Sequence, residues 1–280
     1  MRAFIDRNAF WMACLVFALY AVYFLLPLLI YEPMDMTNEI GTISVDWILA
    51  SVIPQALLAV SLIVIVWLFG WWRQTGLVTA PDPAGVRLSV WVGLLPAVLL
   101  VVFSLLAVFD LEGQSTRNPE QVILLVLALN LCVGLFEEIL FRGILMNGLR
   151  RKLSLPAAII TSSVLFGLLH VVSLGYGQSP TTTAAQIMVA ASLGGLFCVL
   201  TLQANSLWPA IILHAVYNSQ AMILIFLLED NLDLSDLNQR PTGLAITDLI
   251  LPGAVTLLAV YLYRRWKRRM SRSAPPPIPR

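Results

Sequence analysis

The chain is 280 residues long, 59% hydrophobic and only 12% charged, with 17 Lys and Arg against 16 Asp and Glu for a net charge of +1 and a mean hydropathy of +0.85. Ordinary soluble domains are about 45–50% apolar and about 25% charged, so this composition excludes a soluble globular protein and describes a polytopic membrane protein. The charge balance also gives no basic domain for nucleic acid, and Cys14, Cys132 and Cys198 lie in apolar segments without the paired spacing of a disulfide framework or zinc ribbon.

Apolar runs near the ~20 residues of a spanning helix fall at about 8–31, 46–70, 86–109, 121–146, 156–175, 184–204, 207–228 and 243–263. The expected fold class is all-α, a polytopic membrane bundle of about eight transmembrane helices. The first run is too long for the core of a signal peptide, and Tyr31-Glu32-Pro33 follows it rather than a small-residue cleavage site, so it reads as a retained helix.

Lys and Arg are segregated along the chain. If the N-terminus is cytoplasmic, the inner segments hold Arg2, Arg7, Arg73, Arg87, Arg150, Arg151, Lys152, Arg264, Arg265, Lys267, Arg268, Arg269, Arg272 and Arg280, and the outer loops only Arg117 and Arg240. Glu32, Asp35 and Glu39, and later Glu229, Asp230, Asp233 and Asp236, fall in the outer loops. The positive-inside rule then places both termini in the cytoplasm; the expected location is a bacterial plasma membrane, as a multi-pass integral protein. The expected divisions are N-terminal helices over 1–119, a core over 120–225, a last outer loop and helix over 226–270, and a proline-rich tail over 271–280.

The polar residues at membrane depth carry the functional signal. The two histidines, His170 and His214, and the pair Glu137-Glu138 all lie inside spanning runs. An ionisable group there costs roughly 2.5–3.5 kcal/mol on insertion scales, so such groups turn toward a bundle interior or a wet cavity. Glu138 and Arg142 stand i,i+4 with the acid first, the favoured ion-pair order. Glu137 is rotated about 140° from Arg142 and must meet another partner or water. Two adjacent carboxylates can thus have different tasks, and Glu137 suits a general base that takes a proton from water and later returns it. His214 and Asn218, also i,i+4, project from one stripe and can donate jointly to a developing oxyanion. At 1.5 Å of rise per residue, Glu137, His170, Asn218 and His214 lie roughly 20, 24, 18 and 12 Å from the nearest basic or polar helix end, compatible with one cavity.

Each residue also has a plainer reading. A Glu–Arg pair in a span can be a structural clasp, a lone membrane His usually bonds a neighbouring helix, Asn218 can be packing glue, and Phe166 reads as core. The conjunction is less ordinary. Glu137-Glu138…Arg142, Phe166…His170 and His214…Asn218 resemble the signature of the CPBP intramembrane proteases, the family of type II CAAX prenyl endopeptidases and bacteriocin-processing or self-immunity (Abi) proteins, over roughly residues 120–225. The resemblance implies that Glu137 is the catalytic base, that His170 helps activate the water, and that His214 and Asn218 stabilise the oxyanion. It further implies that Glu138 and Arg142 give structural support, Arg142 lying near a substrate carboxylate.

The family carries both metalloprotease and metal-free labels. A His-Glu-x-x-His helix is absent, and a catalytic zinc would need three ligands such as Glu137, His170 and His214. That use would remove the water activator and an oxyanion donor, so no cofactor is favoured and zinc is the alternative. The expected partners are the lipid bilayer and a membrane protein or lipidated peptide whose C-terminal segment presents the scissile bond. Two other classes fit fewer features. A proton-coupled transporter would use such Glu and His chains, but no inverted repeat is visible; a non-catalytic immunity or scaffold protein need not retain every polar position.

Overall fold

A computed structural model of the chain describes residues 1–26, 28, 45–94, 98, 102, 119–228, 244 and 246–273. The acidic outer-loop residues named above, Arg117, Arg240, Arg280, most of the apolar run at 86–109 and the tail from Ala274 lie outside those residues. Among the described residues all regular structure is helical. In chain order these are α1 (Arg2–Arg7), α2 (Ala9–Leu25), α3 (Val45–Phe69), α4 (Trp72–Thr75) and α5 (Pro83–Ser89), which runs on into a π-turn at Val90–Leu94. Then come α6 (Pro119–Glu138), extended by a π-helical segment Ile139–Met146 and a last turn Asn147–Leu149, and α7 (Leu155–Leu169), extended by a 3₁₀ segment His170–Tyr176. The chain closes with α8 (Pro180–Ala204), α9 (Trp208–Leu228) and α10 (Ile246–Ser273).

Among the described residues four stretches, Val45–Phe69, Glu120–Leu149, Leu155–Tyr176 and Pro180–Ala204, are long and apolar enough to cross a membrane, and Ala9–Leu25 is a shorter apolar helix. Large apolar side chains such as Leu57, Trp67 and Ile160 are exposed on the outer faces. In a bilayer that surface meets acyl chains, where each helix satisfies its own backbone groups. The protein is an all-α integral membrane bundle.

Local chemistry sets the helix ends. Asp82 caps α5, its carboxylate accepting from the amides of Ala84 and Gly85 at 2.8 and 2.9 Å, with Pro83 supplying a preset φ in the first turn. Ser179 caps α8 the same way through the Thr182 amide, followed by Pro180, and Asn205 ends it in the left-handed region at φ 50°. The α4–α5 loop is stitched to the α8–α9 turn: the Asp82 amide donates to the Ala204 carbonyl at 2.7 Å, the Leu207 amide to that of Gly76 at 3.0 Å, and the Trp208 indole to that of Leu77 at 3.1 Å. These bonds fix where α9 begins.

The bundle centre is α6. It packs on α3 and α9 along its first half, while its π-helical end meets α2, α4 and α7; α8 in turn joins α7 to α10. Every residue from Ile139 to Met146 is buried.

Candidate active site

The π-helical segment begins immediately after Glu137-Glu138. Such segments widen the helix by one residue per turn and release carbonyls from the regular ladder, and they occur often at functional sites. Here the Ser162 hydroxyl of α7 donates to the Phe141 carbonyl at 2.9 Å. The Asn147 side-chain amide donates to the carbonyls of Arg142 and Gly143 at 3.1 and 3.0 Å, and to that of Gln74 at 2.6 Å. These side chains satisfy backbone oxygens that would otherwise be orphaned in a dry interior.

The widened turn still holds the expected pair, with Arg142 Nη1 donating to Glu138 Oε1 at 2.8 Å and both side chains fully enclosed. An ion pair so deep persists only with further compensation. The guanidinium receives it from aromatic faces, its Cζ lying 4.4 Å from the Phe166 ring centroid, 5.6 Å from that of Phe197 and 6.0 Å from that of Phe141. A substrate carboxylate would reach Arg142 only if this cage opened.

His214, from α9, enters between the two glutamates. Its Nδ1 is 2.8 Å from Glu138 Oε1 and its Nε2 is 3.4 Å from Glu137 Oε2. Proton counting constrains the trio: two carboxylates facing two ring nitrogens need two protons, held as two ring N–H groups or as one ring N–H and one carboxyl. The Phe166 and Phe197 rings pack against the imidazole, each centroid 5.8 Å away. The result is a chain of contacts from Arg142 through Glu138 and His214 to Glu137.

Backbone proximity makes the insertion feasible. A Cβ on Gly134 would lie 2.9 Å from the Ile211 carbonyl oxygen and 3.6 Å from His214 Cβ, so the missing side chain lets α6 and α9 approach at the level of the site. Gly194 does the same for α8, where a Cβ would meet Phe166 at 3.2 Å and Arg142 Nη2 at 3.3 Å.

Glu137 is the accessible member, its side chain 23% exposed against 6% for His214 and none for Glu138. It opens into a cleft of about 90 Å³ shared with His170 and walled by Phe24, Phe136, Phe141, Phe166, Leu169 and Val172. His170 stands where α7 tightens into the 3₁₀ segment, with Nδ1 3.1 Å from the Phe166 carbonyl, an arrangement that leaves Nε2 as the ring's other polar atom. Asn218, one turn beyond His214 on α9, is half-buried and has no hydrogen-bond partner among the described residues. The structure thus brings Glu137, Glu138, Arg142 and His214 into direct contact and adds His170 across the cleft.

Both ring nitrogens of His214 face carboxylates, and among the described residues no group of three His, Cys, Asp or Glu is placed to hold a metal ion.

Several participants are not singled out by the sequence. Phe197 and Phe24 carry no local signal among so many apolar residues. Gly134 and Gly194 are small residues in apolar helices, a pattern that marks close helix approach without naming the partner. Phe166 reads as core from sequence and is indeed buried, but its ring touches Arg142, His170 and His214 together.

Residues 119–220 match a protein-family model described as type II CAAX prenyl endopeptidase, Rce1-like. No curated protein and no solved structure matches the chain. The matched stretch starts at the first residue of α6, ends two residues past Asn218, and holds all six polar residues of the site. Over residues 119–220 the chain is therefore similar to the Rce1-like type II CAAX prenyl endopeptidases.

Proposed function

We propose that the protein is an intramembrane endopeptidase that hydrolyses a peptide bond beside a membrane-anchored C-terminal segment, lipidated or simply hydrophobic. The observation that carries this reading is the Glu137–His214 contact at the mouth of a cleft whose other polar residue is His170. Glu137 acts as general base, taking a proton from water as its oxygen adds to the carbonyl carbon. His170, across the cleft, orients that water. The tetrahedral oxyanion takes hydrogen bonds from His214 and Asn218, the imidazole turning its Nε2–H from Glu137 to the substrate oxygen. Glu137 then delivers its proton to the amide nitrogen as the C–N bond breaks, releasing an amine and a carboxylic acid that loses its remaining proton to water.

Glu138 and Arg142 serve as positioning residues. Glu138 accepts from Nδ1–H of His214 and so stabilises the doubly protonated imidazolium whose Nε2–H faces the reaction, as a buried carboxylate does behind a catalytic imidazole. Arg142 neutralises Glu138 so that this carboxylate stays a hydrogen-bond acceptor. The chemistry is assigned to these side chains without a metal.

A fluorogenic membrane peptide in proteoliposomes tests the assignment. Glu137→Gln, His170→Ala and His214→Ala should each abolish turnover while the thermal melt in detergent remains cooperative. Wild-type cleavage by Glu137→Gln would remove the proposed base, and proton flux without peptidase activity would replace the enzyme reading with a transporter.

A further inference from the structure

The last helix carries a surface that the peptidase reading does not use. α10 buries Ala259 and Leu262 against α8, with Val255, Leu258 and Tyr263 alongside. Its opposite face exposes Leu257, Val260 and Tyr261, followed one turn later by Arg264, Arg265 and Arg268, which together line a shallow crevice of about 710 Å³ with Arg269 at its rim. At ~100° per residue, Leu257, Tyr261, Arg264, Arg265 and Arg268 fall within an arc of about 100°. One stripe of the helix therefore changes from apolar to cationic over a single turn.

Arg264, Arg265 and Arg268 are exposed and have no carboxylate partner among the described residues. Tyr263 and Trp266 pack together at the same level, with ring centroids 6.0 Å apart, as amphipathic rings do where acyl chains give way to headgroups. Three exposed guanidinium groups directly above an exposed apolar stripe are complementary to a molecule with a phosphate at one end and hydrocarbon at the other. A free anion would use only the upper half, and a neutral lipid only the lower.

We propose that this face of α10 is a binding site for one anionic phospholipid, whose phosphate is held by Arg264, Arg265 and Arg268 and whose acyl chain lies along Leu257, Val260 and Tyr261. Arginine suits the task because its planar fork of donors matches phosphate oxygens two at a time. The site lies outside the Rce1-like stretch at residues 119–220 and is independent of the catalytic assignment.

Native mass spectrometry of the full-length purified protein, titrated with equal amounts of phosphatidylglycerol and phosphatidylcholine, reads the preference directly. The wild type should retain phosphatidylglycerol over phosphatidylcholine by at least about tenfold, at about fivefold per engaged charge. Arg264→Gln/Arg265→Gln/Arg268→Gln should retain the two equally with an unchanged melting temperature. If the triple variant does not fold, the single change Arg265→Gln should lower the preference about fivefold. Inorganic phosphate at the same concentration should not displace the lipid. No preference in the wild type, full preference in the glutamine variants, or displacement by phosphate alone would each overturn the assignment.

Discussion

Replacing Gly134 by alanine tests whether the α6–α9 approach sets the chemistry. The new Cβ would sit 2.9 Å from the Ile211 carbonyl oxygen, a backbone atom with no soft rotamer to absorb it. Reaching ordinary contact at 3.4 Å requires α9 to retreat by about 0.5 Å. His214 moves with it, opening Nδ1···Oε1 from 2.8 to about 3.3 Å and Nε2···Oε2 from 3.4 to about 3.9 Å. Two opposed terms act on stability. Alanine gains about 1 kcal/mol over glycine in a helix interior, and overpacking costs about 1–3 kcal/mol, so the net change is a small loss. Catalysis is more sensitive, since a displacement of 1 Å costs about 100-fold and half of that about tenfold. The expected result is a cooperative melt within a few degrees of wild type and kcat lowered about tenfold on the fluorogenic peptide. Because the chain holds only His170 and His214, nitrogen-15 shifts of the imidazole rings report the contact without any turnover, and one ring should change. Wild-type kcat together with unchanged ring shifts would refute the link between helix spacing and His214.

The cluster makes further commitments. Glu138→Ala leaves Arg142 as an unpaired charge with no exposed surface, which costs about 3–5 kcal/mol; a detergent melt indistinguishable from wild type would contradict the burial. Arg142→Lys keeps the charge but loses the planar contact with Phe166 at 4.4 Å, so it should lower both melting temperature and turnover rather than restore either. Phe166→Leu removes that ring and its packing on His170 and His214. It should destabilise by about 1–3 kcal/mol and depress kcat more than KM, and an effect on KM alone would place Phe166 against substrate instead. Metal analysis of the purified protein should find well under one zinc per chain and turnover insensitive to chelators. Stoichiometric zinc that disappears in His170→Ala would reassign the histidines as ligands.

Composition and spacing determined the class of protein and picked out the polar residues at membrane depth. An apolar content of 59% leaves no soluble solution, and continuous apolar runs of about 20 residues span hydrocarbon as helices. The i,i+4 relation of Glu138 and Arg142 is a local property of one helix, which is why it could be read directly and appears as a 2.8 Å pair even where the helix turns π. The same local geometry turned Glu137 away from Arg142 and required a separate partner, without naming it.

That partner is a tertiary fact. His214 is 76 positions from Glu138, and its place between two carboxylates depends on how closely α9 can pass Gly134, a distance set by the whole bundle. The cage around Arg142 is assembled from Phe141, Phe166 and Phe197 on three helices, and in a chain this apolar nothing local distinguishes those rings from the others. Periodicity assigns a residue to a face of its own helix; only packing between helices decides what that face meets, because the contacts are made across the bundle rather than along the chain.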